Sequence, residues 1–165
     1  MHRVLILAAV AATLIIAGCG GTSQNNATTG ASMSDTVGVK QVDGIGRVLV
    51  DSSGMALYTP NQETRGMIRC TGSCTSEWQP VDAGGKPSAA AGVGKVGVVK
   101  RPDGVRQVTL AGMPLYTFVQ DSPDQVTGDG AQDQFDGKHF TWHVVLAGGG
   151  KGTGTATRSS GQYGY

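Results

Sequence analysis

Cys70 and Cys74, with three residues between them, are the first groups in the chain whose type and spacing invite chemistry. Such a pair can close a disulfide, cycle as a redox couple or bind a soft metal. The spacing bears on the choice. A thioredoxin-type couple has two intervening residues, a structural zinc site needs four ligands, and covalent haem attachment needs a histidine where Thr75 stands. A local disulfide would contribute only about 2 kcal/mol in the chain-entropy account, so it would pin a loop more than hold a domain. A redox-active or metal-binding pair stays open beside it.

Other constellations carry less. His139 and His143 flank Phe140-Thr141-Trp142, and on a helix they would share a face and could bind one ion. The β-branched and aromatic surroundings favour a strand instead, where four residues span roughly 13 Å. Asp121, Asp124, Asp129, Asp133 and Asp136 form a glycine-bearing acidic stretch with oxygen ligands suited to calcium, but not at EF-hand spacing, and a solvated turn-rich loop is the competing reading. Met55, Met67 and Met113 offer soft ligands for copper, yet two of them fall at equivalent repeat positions where a core role is simpler. Gly92 to Gly97 fits G-x-G-x-x-G without the strand before it and the helix after it that a nucleotide fingerprint needs. No G-x-S-x-G elbow or triad spacing occurs. No catalytic residue, metal site or cofactor is assigned.

Tyr116-Thr117-Phe118-Val119-Gln120-Asp121 is different, because tyrosine, a second aromatic and a carboxylate recur in weaker form around Tyr58. On a strand, Tyr116 and Phe118 point to one face, and Asp121 falls just beyond, where it can accept hydrogen bonds from the following turn. One reading makes the aromatics a cover for the core. The other makes Tyr58, Tyr116, Phe118 and Asp121 a binding site, an aromatic shelf with an acidic rim for a peptide or ligand. Pro60 stands where the first copy would carry its second ring, so that shelf would be the weaker one.

The elements that position these groups come from an internal repeat. Asp43 to Val50 followed by Gly54 to Thr59 recurs as Asp103 to Leu110 followed by Gly112 to Thr117, and each copy reads as a β-hairpin. Val48 and Val50 are expected to match Val108 and Leu110 on one face. Pro102-Asp103-Gly104 supplies a turn in which glycine accepts positive φ. Further strands are expected at Val96–Lys100 and Phe140–Leu146, and a short helical turn at Thr75–Trp78. The fold class is mainly β: a small antiparallel β domain of two related hairpin repeats, about 43–80 and 103–145, within a domain spanning 43–147.

The ends read differently. Arg3, an apolar run from Val4 to Ala17, and Ile16-Ala17-Gly18-Cys19 form the pattern of a bacterial lipoprotein signal over residues 1–18, with Cys19 as the lipidated first residue of the mature chain. The run is shorter than the roughly 20 apolar residues that a membrane span wants. More than one acyl chain, diacylglycerol with palmitate-like N-acylation, gives lasting anchorage where one chain is marginal. Residues 19–42 read as a flexible tether and 148–165 as a disordered Gly/Ser-rich tail. Lipid on Cys19 leaves Cys70 and Cys74 as an even pair, for which a disulfide is the default outside the cytosol. Net charge is +1, which gives no electrostatic pull toward nucleic acid.

The tyrosine motif in the form Y-x-(F/W/Y)-x-x-D, the Gly112-Met113-Pro114-Leu115-Tyr116-Thr117 lead-in, the cysteine pair, Glu77-Trp78-Gln79-Pro80 and the lipobox together resemble bacterial lipoproteins of the "secreted repeat of unknown function" family. In the first copy Glu63 stands where that family usually has aspartate. The resemblance implies location and class, and no chemistry. A lipid-anchored, extracytoplasmic, non-enzymatic binding or scaffold module is therefore expected, held by Cys19 to the outer leaflet of the cytoplasmic membrane or to the outer membrane of a diderm, and meeting an envelope protein. The alternative is a redox- or metal-linked accessory to an electron-transfer or peroxide-handling partner.

Overall fold

A computed structural model describes residues 35–154. The first half contributes β1 (Gly38–Val42), β2 (Gly46–Val50), β3 (Tyr58–Pro60), the helical turn α1 (Cys74–Glu77) and β4 (Trp78–Pro80). The second contributes β5 (Val96–Lys100), β6 (Arg106–Leu110), β7 (Met113–Pro114), β8 (Tyr116–Phe118), β9 (Gln132–Phe135) and β10 (Lys138–Val144). All ladders between these strands are antiparallel, so the mainly β reading holds. Gly104 sits at φ +90° in the expected turn. Ala111 and Gly112 both take positive φ, the backbone of a tight two-residue hairpin turn that closes β6 on β7 through Leu110 and Met113.

The two halves are exchanged rather than juxtaposed. In the first half Leu49 N donates to Val145 O (2.8 Å), Val145 N to Leu57 O (2.8 Å), and Leu57 N to Leu49 O (2.9 Å). The second half repeats this ring with Val108 N to Val81 O (2.8 Å), Val81 N to Leu115 O (3.0 Å) and Leu115 N to Val108 O (3.0 Å). Each ring takes two members from one half's hairpin and the third from the other half, so neither hairpin completes its backbone bonding alone.

The rings also correct the alignment of the repeats. Leu49, not Val48, is the counterpart of Val108. Val48 and Val50 face the aromatic core, whereas Leu49, Val108 and Leu110 share a second, aliphatic core with Val37, Leu57, Leu115 and Val145. A shift of one residue moves a strand's side chains to the opposite face. Val48, Leu49 and Val50 are all buried, so β2 has no polar face from which alternation could fix the register.

At the centre lies a five-stranded sheet in the order β4-β8-β3-β10-β9. Its interior strands β3 and β8 set Tyr58 opposite Tyr116. On one side Trp78 pairs with Phe118, and on the other Trp142 pairs with Pro60, so each half's tryptophan strand again borders the other half's tyrosine strand. A Trp-x-x-Val-x-Ala segment thus recurs, at 78–83 and 142–147, beyond the hairpin repeat. The indoles of Trp78 and Trp142 stack at 4.0 Å and 7°. Tyr58 sets its edge on Trp78 (5.3 Å) and Tyr116 on Trp142 (5.2 Å), an approximate two-fold arrangement in side chains as well as backbone.

The ordered domain reaches beyond 43–147 at both ends. β1 lies within the stretch read as tether, with Val37 and Val39 buried; Val37-Gly38-Val39 is too short, and interrupted by glycine, to stand out from its polar surroundings. Gly152 N donates to Val144 O (2.8 Å) and Gly154 N to Asp129 Oδ2 (2.9 Å), which fixes the start of the expected tail. The signal segment, Cys19, the tether up to residue 34 and residues 155–165 lie outside the described residues.

Candidate functional site

The tyrosine motif resolves into two reciprocal clasps. Tyr58 donates its hydroxyl to Asp121 Oδ2 at 2.5 Å, and Tyr116 donates to Glu63 Oε2 at 2.7 Å. Each carboxylate stands five residues after one tyrosine and serves the other. The second oxygen of each carboxylate ties down the loop that carries it: Asp121 Oδ1 accepts from Thr127 N (2.9 Å) and Thr127 Oγ1 (2.6 Å), and Glu63 Oε1 from Arg69 N (2.5 Å) and Cys70 N (2.6 Å). Both phenols are pushed well above the ordinary tyrosine range, first by burial and then by the negative charge of Asp121 for Tyr58 and of Glu63 for Tyr116. They are neutral donors, unsuited to act as bases or nucleophiles.

Arg101 makes the two clasps unequal. Its side chain is fully buried and donates to Gln107 Oε1 (2.7 Å), Cys70 O (2.7 Å), Tyr116 Oη (3.2 Å) and Asp103 Oδ2 (3.0 Å). Cys70 is therefore held from both sides, its N–H by Glu63 and its carbonyl by Arg101. The Cys70–Cys74 disulfide lies under this grip, with the two residues 0% and 1% exposed.

Of the candidate binding residues, Tyr58 and Tyr116 are 0% exposed, Phe118 1% and Asp121 7%. The structure brings all four together, since Phe118 stacks on Trp78 at 4.4 Å and meets Tyr58 edge-on at 6.4 Å. It does not present them as a surface shelf. Tyr58 and Tyr116 occupy adjacent interior strands of the sheet, and Gly128 closes over the rings so tightly that a Cβ there would come within 2.7 Å of Trp78.

The remaining chemistry-bearing residues separate. Asp124 pairs with Lys40, Asp129 accepts from Val144 N (3.0 Å), Asp133 from Trp78 Nε1 (3.0 Å), and Asp136 from Ser73 Oγ (3.4 Å). His139 is exposed on β10, while His143 faces Asp129 Oδ1 at 3.6 Å and lies 3.1 Å from Asn61 Nδ2. Among the described residues no three of His, Cys, Asp and Glu come together closely enough to hold a metal ion. Arg101 and the exchange of carboxylates are what sequence reasoning missed. Arg101 sits in a Lys-Arg-Pro-Asp-Gly turn that reads as solvent-facing, and a five-residue spacing reads as a local contact; the recurring Trp-x-x-Val-x-Ala segment was the available signal for the exchange.

Residues 97–145 match the family model described as a secreted repeat of unknown function. The second half carries that repeat. The matched segment begins in β5 and ends one residue past β10, and it includes Tyr116, Phe118, Asp121 and Trp142. Neither a curated protein nor a solved structure matches the chain. A secreted repeat belongs to an extracytoplasmic protein, and there the Cys70–Cys74 bond is chemically at home.

Proposed function

We propose that the protein is a lipid-anchored, non-enzymatic binding or scaffold module of the cell envelope, tethered through Cys19. The observation that carries this reading is where the polar chemistry is spent. The phenols of Tyr58 and Tyr116, the carboxylates of Asp121 and Glu63, and the Arg101 guanidinium are buried and bonded to one another, joining two halves into one unit. Such groups build a rigid platform, and what meets a partner is then backbone and surface around it. The redox- or metal-linked alternative would draw on Cys70 and Cys74, whose burial beneath the Glu63–Arg101 grip does not favour cycling.

Crosslinking in the native envelope, with Cys19→Ala in parallel, tests the proposal. The expected result is a wild-type protein in the membrane fraction crosslinked to a recurring protein partner, and a variant lost from that fraction. Membrane retention of Cys19→Ala, or a disulfide that cycles readily with a stoichiometric metal bound, would overturn it.

A further inference from the structure

The hydrogen-bonded rings make β1 and β5 counterparts, because Val39 lies opposite Leu49 and Val98 opposite Val108. Val37 then corresponds to Val96. The two outer edges have different fates. Along β1, a segment of the chain lies beside the strand: Val37 N donates to Ser88 O (3.1 Å), Ala90 N to Val37 O (2.9 Å), and Val37 and Ala89 form a parallel bridge. Val37 and Val39 are 0% and 3% exposed.

Among the described residues, none lies beside the outer edge of β5 in that way. This strand is the edge of the three-stranded sheet β5-β6-β7. In an antiparallel pair alternate residues turn their backbone groups toward the partner. Val108 spends its N–H and carbonyl on Val81 and Leu115, so Gly97 and Val99 carry the ladder to β6, and Val96, Val98 and Lys100 direct theirs outward. Val98 is 38% exposed where its counterpart Val39 is 3%. The edge is also basic. Lys95, Lys100 and Arg106 are exposed, none is in an ion pair among the described residues, and Lys100 and Arg106 stand directly across from each other, a like-charge pairing that costs stability. Lys40, on the covered strand, has Asp124 as its partner.

We propose that the outer edge of β5 receives an extended, acid-flanked peptide segment of an envelope partner as an added strand. This rests on the reading of the protein as a binding module and names its surface. The segment Ser88–Ala90 shows the chemistry of the occupant: small side chains that let a backbone approach, here with carboxylates at the ends to meet Lys95 and the Lys100–Arg106 pair. Main-chain bonds to Val96, Val98 and Lys100 supply affinity, and the flanking charges supply direction and rule out basic segments. The same lysines discourage a second copy of this chain from pairing edge to edge.

The probe is a synthetic peptide with a Ser-Ala-Val-Ala core and aspartates at both ends, compared with the same core flanked by lysines. It is titrated into the secreted protein, with amide shifts followed by NMR. The expected result is perturbation centred on Val96, Val98 and Lys100 by the acidic peptide alone. Val98→Pro removes an outward N–H without touching the β6 ladder, and is expected to weaken binding about tenfold with thermal stability retained. Should that variant unfold, Lys100→Glu serves instead, with the acidic peptide's advantage over the basic one reduced or reversed. Absence of acidic-peptide binding, binding indifferent to a folded Val98→Pro or Lys100→Glu, or concentration-dependent self-pairing through β5 would overturn the proposal. Crosslinking in the envelope separates the two claims: a partner still captured by Val98→Pro refutes the edge and spares the module, whereas no partner for the wild type refutes the module.

Discussion

The Glu63–Tyr116 clasp and the Asp121–Tyr58 clasp have the same geometry and different support. Glu63 accepts from the Tyr116 hydroxyl, whose oxygen in turn accepts from Arg101, and holds a disulfide loop on its second oxygen. Asp121 has Thr127 on its second oxygen, and Gly128 N reaches the Tyr58 hydroxyl at 3.3 Å. One clasp is a buried network around a cation, and the other is a hydrogen-bonded carboxylate near the surface. An approximate symmetry of backbone therefore does not imply equal energetics, because what decides the cost of breaking a buried polar pair is the charge left behind.

The largest effect follows from removing that cation. Arg101→Met strips Cys70 O, Gln107 Oε1 and Tyr116 Oη of a charged donor and takes the buried cation out of the network, while Glu63 keeps its bonds from Tyr116, Arg69 and Cys70. The expected loss is about 3–5 kcal/mol in urea unfolding, whereas Thr127→Val in the other clasp is expected to cost about 1 kcal/mol. Equal losses would erase the distinction between the clasps. Next is the covalent brace: replacing Cys70 and Cys74 with serines should lower stability by about 2 kcal/mol, and should reduce the coupling of Tyr116 to Glu63 more than that of Tyr58 to Asp121. A third test acts on both clasps at once. Folding raises the titration of both phenols, so the stability they contribute is intact below the unfolded value near pH 10 and drains as pH rises past it toward the folded values. The denaturant midpoint should fall above about pH 10, and a Tyr58→Phe, Tyr116→Phe double variant should flatten that fall.

How far the fold could be read from residues alone depended on whether each segment carried a local signal. The hairpin turn at Ala111-Gly112, the strand at Val96–Lys100 and the strand through Phe140 and Trp142 have turn residues or β-branched and aromatic runs that act locally, and they formed close to expectation. The register of β2 did not follow from its pattern, since three consecutive buried residues offer no alternation. β1 hid in a polar stretch because its burial comes from Ser88–Ala90 and from the aliphatic core, neither adjacent in sequence.

The candidate residues were legible as a set and not as a circuit. Tyr58, Tyr116, Phe118 and Asp121 gather at one place, whereas the recurrence read as two shelves with the one at Tyr58 the weaker. Which carboxylate serves which tyrosine depends on the exchange of halves, and that is fixed by long-range pairing of Trp78 with Phe118 and Trp142 with Pro60. Burial of the motif likewise follows from the central position of β3 and β8, a property of strand order that no single strand encodes.

The exchange itself is the central claim, and double-mutant cycles on the full chain test it most directly. Tyr58→Phe with Asp121→Asn, and Tyr116→Phe with Glu63→Gln, should each show a coupling of about 1–2 kcal/mol in equilibrium unfolding. The same-copy pairs, Tyr58 with Glu63 and Tyr116 with Asp121, should couple by less than about 0.5 kcal/mol. Coupling within copies and additivity between them would contradict the exchanged arrangement.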